Sequence, residues 1–396
     1  MEVKIEKLDN LGQGIAHINE KVCFIKNALP EEIVDIEIIS DKKKYQKAEV
    51  RKYIEISKDR KDNICPYSKN CGGCSLGHLK YEKSLEYKNE KLKEIIYKST
   101  KQKYEPTMIK CNQEYNYRNK ITLKIVDYKW GYYNLESHNF VPINKCLLAH
   151  NSINKIVENQ EVFHIKSGEI IMRTNDINEI LIAIKTDEAY SIDFEKINNL
   201  NIVGIVVNDK TIYGNSYFYH SINNIKYKIS YNSFFQVNDY ICGKIFNILN
   251  EIDLGKTLLD LYCGVGTLGL SVAKKLTKIY GIEIINNAIV DAKLNAEINN
   301  IKNTKYLVGK VENNIKNIND KIDTIILDPP RKGLSNIEEI IDFKAKNLIY
   351  ISCDPVTLGR DLKVLTNYYD IKKVYALDMF PQTYHVESLI ILNKSR

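Results

Sequence analysis

Asp260-Leu261-Tyr262-Cys263-Gly264-Val265-Gly266-Thr267-Leu268-Gly269 is the stretch that decides the fold. It closes the apolar run TLLDLYC, read as a strand, and opens GVGTLGLSVAKKL, read as a glycine turn entering a helix. KIYGIEI is the next strand and INNAIVDAKLNAEINN the next helix, and KIDTIILD, NLIYISC, KVYALDMF and ESLIILNK supply later strands. Strands separated by helix-length segments predict an α/β domain over residues 226–396, a mostly parallel, doubly wound, Rossmann-like sheet. The glycines let a ligand approach the backbone at the carboxyl edge of such a sheet. Glu283 ends the second strand, where an acid can accept both hydroxyls of a ribose. A nicotinamide cofactor would satisfy that much. Asp260, immediately before the glycines, argues for something else: it repels a pyrophosphate and favours a zwitterionic amino-acid cofactor, for which S-adenosylmethionine fits best.

Upstream lie two further regions. Residues 1–56 alternate at period two with glycine punctuation (VKIEKL, IAHI, VCFIKN, IVDIEIIS, KAEVRKYIE), the pattern of a small β-barrel. Its Lys42, Lys43, Lys44 and Lys47 suit either a phosphate backbone or a solvated hairpin rim. Residues 57–225 read as a mixed α+β central domain. LKYEKSLEYKNEKLKEIIYKS is a helix with Leu85, Leu92, Ile95 and Ile96 on one stripe and opposite charges three or four apart. Strand-like runs follow (KITLKIVDY, EIIMRT, EILIAIKT, NIVGIVVN). Tyr115, Tyr117, Tyr128, Tyr132 and Tyr133 interleave there with Arg118, Lys120, Lys124 and Lys129, as in a base-stacking platform or a half-buried sheet.

Composition narrows the class. The 396 residues are 44% hydrophobic and 27% charged, which is globular and not disordered. No apolar run of membrane-spanning length appears, and MEVKIEKLDN has no signal-peptide core, so a cytoplasmic protein without a membrane partner is expected. The net charge of +7 permits an acidic partner without requiring one. Nine cysteines with no secretion signal argue against a disulfide scaffold. Three of them, Cys65, Cys71 and Cys74, crowd into ICPYSKNCGGCSLGH. Soft thiolates at that spacing suit zinc or an iron–sulfur cluster, with a fourth ligand from elsewhere.

The later strands end in chemistry: Asp328-Pro-Pro-Arg331-Lys-Gly333, then Ser352-Cys353-Asp354-Pro355, then DMFPQTYHVESL with His385 and Glu387. Strand ends of a doubly wound sheet face one crevice, so a cofactor, a thiol, carboxylates and a cation assemble there. This set suits methylation of uracil C5, a poor nucleophile. A thiolate adding to C6 makes the ring an enolate, C5 attacks a methyl sulfonium, and a base then removes the C5 proton so that the thiol can leave. Glu387 is a suitable base if its site raises its pKa, and Cys353 is expected as a thiolate promoted by nearby positive charge.

Taken together, these motifs resemble the S-adenosylmethionine-dependent RNA (uracil-5-)-methyltransferase family, and in particular its 23S ribosomal RNA enzymes with a TRAM domain and a [4Fe-4S] cluster. NLGQGIAHINEKVCFIKNALPEE resembles the OB-like TRAM barrel, and CPYSKNCGGC with NKC resembles the cluster ligands, which implies Cys65, Cys71, Cys74 and Cys146. DLYCGVGTLGL, DPPRKG, SCDP and HVES resemble the catalytic motifs, and FFQVN the cofactor-flanking stretch. The resemblance implies Cys353 as nucleophile and Glu387 as base. It implies a cofactor site of Gln236, Asp260, Tyr262, Gly264, Gly266, Glu283 and Asp328, with Gln236 and Asp328 also meeting the target base and Arg331 a phosphate. Lys310 stands where the family often has an acid, so no adenine-side residue is assigned. An unpaired or flipped uridine in ribosomal RNA is the expected partner, and a monomer the expected state. Transfer RNA is the runner-up, because enzymes acting on its T-loop usually lack both barrel and cluster cysteines. A non-catalytic RNA-binding protein, a cytosine-5 methyltransferase and an exocyclic-nitrogen methyltransferase are the remaining alternatives.

Overall fold

The structure is a computed structural model that describes residues 1–134, 137–335 and 337–395. Its largest sheet has eight strands in the order Thr304–Val308, Lys278–Glu283, Thr257–Leu261, Thr324–Leu327, Asn347–Ser352, Glu387–Lys394, Tyr369–Leu377 and Thr107–Ile109. Every pairing is parallel except those made by Glu387–Lys394, which runs antiparallel to both neighbours. The inner strands TIIL and NLIYIS are buried along their whole length, as near-continuous apolar runs covered on both faces require. This is the Rossmann-like sheet expected from the sequence. The strand order reverses about Thr257–Leu261, which opens the crevice at its carboxyl end. The helix after the glycine turn is shorter than GVGTLGLSVAKKL suggests. It spans Thr267–Ser271, stops where Val272 leaves helical geometry at φ −117°, and is followed by a 3-10 turn at Ala273–Lys275.

Two segments upstream of residue 226 pack with this sheet. Helix Tyr81–Thr100 lies on helix Pro355–Leu365, and its Leu92 and Ile96 share a core with Leu358 and Leu362. Thr107–Ile109 forms an outer strand. The expected boundary at 225/226 falls at the tip of a hairpin, Tyr217–Ile222 with Ile225–Ser230, which turns through Asn223 and Asn224 at φ 49° and 64°. Two consecutive left-handed residues are what a two-residue hairpin turn requires. The hairpin's Phe218, Tyr227 and Ile229 join the core of Leu258, Leu268 and Ile279.

The central sheet has seven strands, Phe140–Pro142, Lys129–Tyr133, Lys120–Val126, Ser167–Thr174, Ile180–Lys185, Ile202–Val207 and Lys210–Gly214, with one parallel pair. Helix Asn151–Glu158 covers one face. The tyrosines of this region do not form one platform. Tyr117 is buried ahead of the strands, Tyr128 is exposed on the left-handed turn between two of them, and Tyr132 is half-buried while Tyr133 is exposed because neighbouring strand positions face opposite sides.

The first residues form a six-stranded sheet in the order Glu2–Lys4, Ile33–Asp41, Tyr45–Glu55, Lys21–Lys26, Gly14–Ile18 and Lys7–Leu8. Both outer strands belong to the single segment 2–8, so the sheet closes on itself as a barrel around Ala16, Cys23, Ile25, Val34 and Ala48.

Candidate active site

The glycine turn begins with strain. Tyr262 is left-handed at φ 63°, Gly264 at 54° and Gly266 at 83°. For a tyrosine that conformation costs about 1–3 kcal/mol, which the packing around it must offset. The turn folds the chain back so that the Gly269 N–H donates to Asp260 Oδ2 at 2.9 Å. A Cβ at Gly269 would come within 3.0 Å of that oxygen, so only glycine fits without displacement. The other oxygen, Asp260 Oδ1, is buried with no partner. Burial pushes this carboxyl up to about 7, against the Gly269 amide and with a smaller push from Asp328 and Glu283. An orphaned, buried carboxylate oxygen is matched by a cationic amine donor, so the residues present fit a zwitterionic cofactor. Glu283 is held at the neighbouring strand end by the Gly264 N–H at 3.1 Å and the Ile285 N–H at 2.9 Å, one to each oxygen. A carboxylate oxygen has a second acceptor site, which leaves both free to meet hydroxyls.

The reacting groups meet because one strand runs backwards. Cys353 follows the carboxyl end of Asn347–Ser352, and Glu387 begins the antiparallel strand, whose Ser388 pairs with Ser352. The Ser388 hydroxyl donates to the Ser352 carbonyl at 3.0 Å and pins that register. Asp354 caps the next helix, accepting from the Val356 and Thr357 N–H groups, so the chain turns sharply after the thiol. Burial pushes the Cys353 thiol up to about 11; the nearby Glu387 and Asp328 push the same way and Arg331 opposes them. The thiol of the ligand-free chain therefore holds its proton at neutral pH, unlike the thiolate expected from the sequence: low dielectric and two carboxyls outweigh one cation. Glu387 lies well above the ordinary carboxylate range, chiefly through burial and then Asp328. Asp328 is pushed up to about 7 by burial, with Gln236 Nε2 3.4 Å from its Oδ2. Gln236 is carried by a loop whose backbone at 236 and 237 is bonded to Asn119. Arg331 is exposed at the crevice mouth. Burial, and then Arg331, Lys91, Arg118 and Lys88, hold His385 down to about 4, so it is neutral.

The four candidate metal cysteines lie in one neighbourhood of the fold. Burial raises the Cys65, Cys71 and Cys74 thiols, and Cys146 adds to the rise in each, which places the four within electrostatic reach of one another. All are free thiols, and among the described residues no group of three or more His, Cys, Asp or Glu is gathered closely enough for a single metal ion. The loop after Cys74 touches the catalytic segment: the Leu76 N–H donates to the Gln382 carbonyl, and the Tyr384 N–H to Ser75 Oγ.

Lys88 and Lys91 were not apparent as site residues. Lys88 is fully buried; its ammonium meets Asp378 at 2.5 Å and the Phe380 carbonyl at 3.0 Å. Lys91 donates to the carbonyls of Asn10, before the barrel's second hairpin strand, and Tyr384, next to His385. Both lie on the same helix face as Leu85, Leu92 and Ile95, where a lysine interrupts an apolar stripe. That interruption is the signal that could have found them.

The fold and crevice define a methyltransferase, and the relatives narrow the class. A profile described as tRNA (Uracil-5-)-methyltransferase matches residues 80–395, and one described as TRAM domain matches residues 1–50. An uncharacterized RNA methyltransferase of Clostridium acetobutylicum is 33% identical over 99% of this chain and 96% of its own length. One from Aquifex aeolicus is 32% identical over 99% and 98%. Among solved structures, the tRNA (uracil-54, C5)-methyltransferase of Pyrococcus abyssi, in complex with S-adenosyl-L-homocysteine, superimposes with a TM-score of 0.81 at 26% identity, covering 99% of this chain and all of that one. The chain belongs to the tRNA (uracil-5-)-methyltransferase family and carries an N-terminal TRAM domain. No helix among the described residues is long and apolar enough to cross a membrane.

Proposed function

We propose that this enzyme methylates C5 of an unpaired uridine in structured RNA, with S-adenosylmethionine as methyl donor. The observation that carries the proposal is the meeting of Cys353, Glu387 and Asp328 at one strand edge beside the orphaned oxygen of Asp260. In this reading Asp260 takes the cofactor's ammonium and Glu283 its ribose, while the backbone at Tyr262, Gly264 and Gly266 lines the approach. S-adenosylmethionine, when bound, supplies an electrophilic methyl group on a sulfonium. Cys353 would give up its proton to solvent and bond through Sγ to C6 of the uracil; C5 would then take the methyl group as its bond to the sulfonium sulfur breaks, which leaves neutral S-adenosylhomocysteine. Glu387 accepts the C5 proton, the Sγ–C6 bond breaks, and the thiolate is restored. Asp328 and Gln236 hold the base edge, and Arg331 meets a phosphate and favours the anionic forms of Cys353 and Glu387.

Cys65, Cys71, Cys74 and Cys146 are proposed to hold a [4Fe-4S] cluster, whose thiolates bind different irons and so sit farther apart than around one ion. Methyl transfer needs no redox step, so the cluster would be structural, tying the loop of Cys65 to Cys74 to the central sheet. The enzyme is proposed to work in the cytoplasm as a monomer. Ribosomal RNA, of the 23S type, is the first reading of the substrate, from barrel and cysteine set together. Transfer RNA is the second, and a specific observation favours it: the Pyrococcus abyssi enzyme, named for a tRNA uridine, is matched across the barrel as well as the catalytic half. Methyl transfer from labelled cofactor to separate ribosomal and transfer RNA transcripts, followed by nucleoside analysis, tests both. The proposal predicts 5-methyluridine in one of them; none in either would refute it.

A further inference from the structure

A cavity of about 410 Å³ lies where the barrel, the cysteine loop and the segment before Glu387 converge. Phe24, Tyr45 and Lys47 of the barrel line it together with Cys74, Ser75 and Tyr384. Cys23 and Ile25 point into the barrel core, so strand alternation turns Phe24 outward to the cavity. The Phe24 and Tyr45 rings meet edge to face at 6.0 Å, and Tyr45 is 37% exposed. Lys47 has no hydrogen-bond or ion-pair partner among the described residues, and Lys42, Lys43 and Lys44 stand exposed on the adjoining turn. The lining also holds one acid, Asp9, whose Oδ1 accepts from both the Leu11 N–H at 2.9 Å and the Gln13 N–H at 2.7 Å. The cavity is also linked to the chemistry. Tyr384 is bonded to Ser75, its ring stands 4.2 Å from that of His385, and Glu387 follows two residues later.

Aromatic faces beside unpaired lysines are suited to a base and its phosphate. We propose that this cavity is a second nucleotide site, taking one unpaired nucleobase of the substrate RNA against the edge-to-face pair of Phe24 and Tyr45, with its phosphate at Lys47. The target uridine lies at the same time in the crevice at Cys353. The enzyme then grips two splayed-out nucleotides of one RNA, and the second selects the loop in which the first is methylated. This inference rests on the reading of the protein as an RNA methyltransferase.

The test measures affinity of the full-length protein for a ribosomal and a transfer RNA transcript, beside methyl transfer to each. Tyr45→Ala and Phe24→Ala are expected to raise Kd and KM about tenfold each, the effect of one lost stacking contact, at unchanged kcat and unchanged affinity for S-adenosylhomocysteine. Tyr45→Phe keeps the ring and should bind like the parent. Lys47→Ala should lower the slope of log Kd against log salt by about one. Parent-level RNA affinity in the Phe24→Ala/Tyr45→Ala double variant overturns the proposal; should that variant not fold, parent-level affinity in Tyr45→Ala does so. If the parent methylates neither transcript, the functional reading falls, and the affinities still decide whether the cavity holds RNA.

Discussion

The carboxyl edge of the eight-stranded sheet and the body of the seven-stranded central sheet handle polar groups in opposite ways. In the central sheet, Leu123, Ile170, Met172, Ile182 and Ile205 fill the interior, while the cross-strand pair Lys124 and Glu169 meets on the outer face in water. At the catalytic edge, Asp260 and Glu387 are buried and Asp328 is half-buried, none with a basic partner in contact among the described residues, and each is raised above its ordinary range. Arg173 is a charged exception in the central sheet, buried with an unpartnered Nε, and it lies where that sheet meets the loop of Ser233 to Gln236. A folded chain tolerates buried, unsatisfied charge where a ligand is to complete it, and elsewhere keeps charge in solvent.

Substitutions should separate the two regions. The largest effect is expected from Cys353→Ala, which removes the nucleophile and should reduce methyl transfer by ~10⁴-fold or more with stability nearly unchanged. Glu387→Gln should lower turnover by roughly 10²–10⁴-fold and leave a methylated protein–RNA adduct that survives denaturing electrophoresis, because elimination stalls. In the central sheet the pattern should invert: Ile170→Ala is expected to cost about 2–5 kcal/mol in denaturant melts while activity per folded molecule holds. A central-sheet variant that lost turnover without losing stability would break the contrast.

The smallest effect concerns pH. Asp260 has a folded-state pKa of about 7 against an ordinary 3.8, so the stability it contributes is full below about pH 4 and is lost as pH rises through 7. Asp260→Asn should therefore stabilise the ligand-free protein at pH 8 by roughly 1–2 kcal/mol, a rise of a few degrees in Tm. The difference should vanish near pH 4, while affinity for S-adenosylhomocysteine falls. Destabilisation at pH 8 would show that Asp260 serves the fold.

The catalytic sheet was legible because its strands are short, almost wholly apolar runs set off by glycine and proline, and because Cys353 sits at a strand end before Pro355. The meeting of Glu387 with Cys353 could not be read locally. ESLIILNK has the same pattern in either direction, and only its antiparallel insertion brings its first residue to the edge where its neighbours end. Thr107–Ile109, three residues long, carries no periodicity to detect. Lys88 looked like part of a charged helix face, because its buried partner Asp378 is 290 residues away. The protonated state of Cys353 also escaped the sequence, which names the nearby cation but not the depth of burial.

The most direct test is to incubate the enzyme and S-adenosylmethionine with a substrate transcript containing 5-fluorouridine. Fluorine cannot leave C5 as a proton, so Glu387 cannot complete elimination. The account predicts a denaturation-resistant RNA adduct whose modified peptide carries Cys353, absent in Cys353→Ala. Methylation of the normal transcript without any such adduct, or an adduct on another residue, would contradict it.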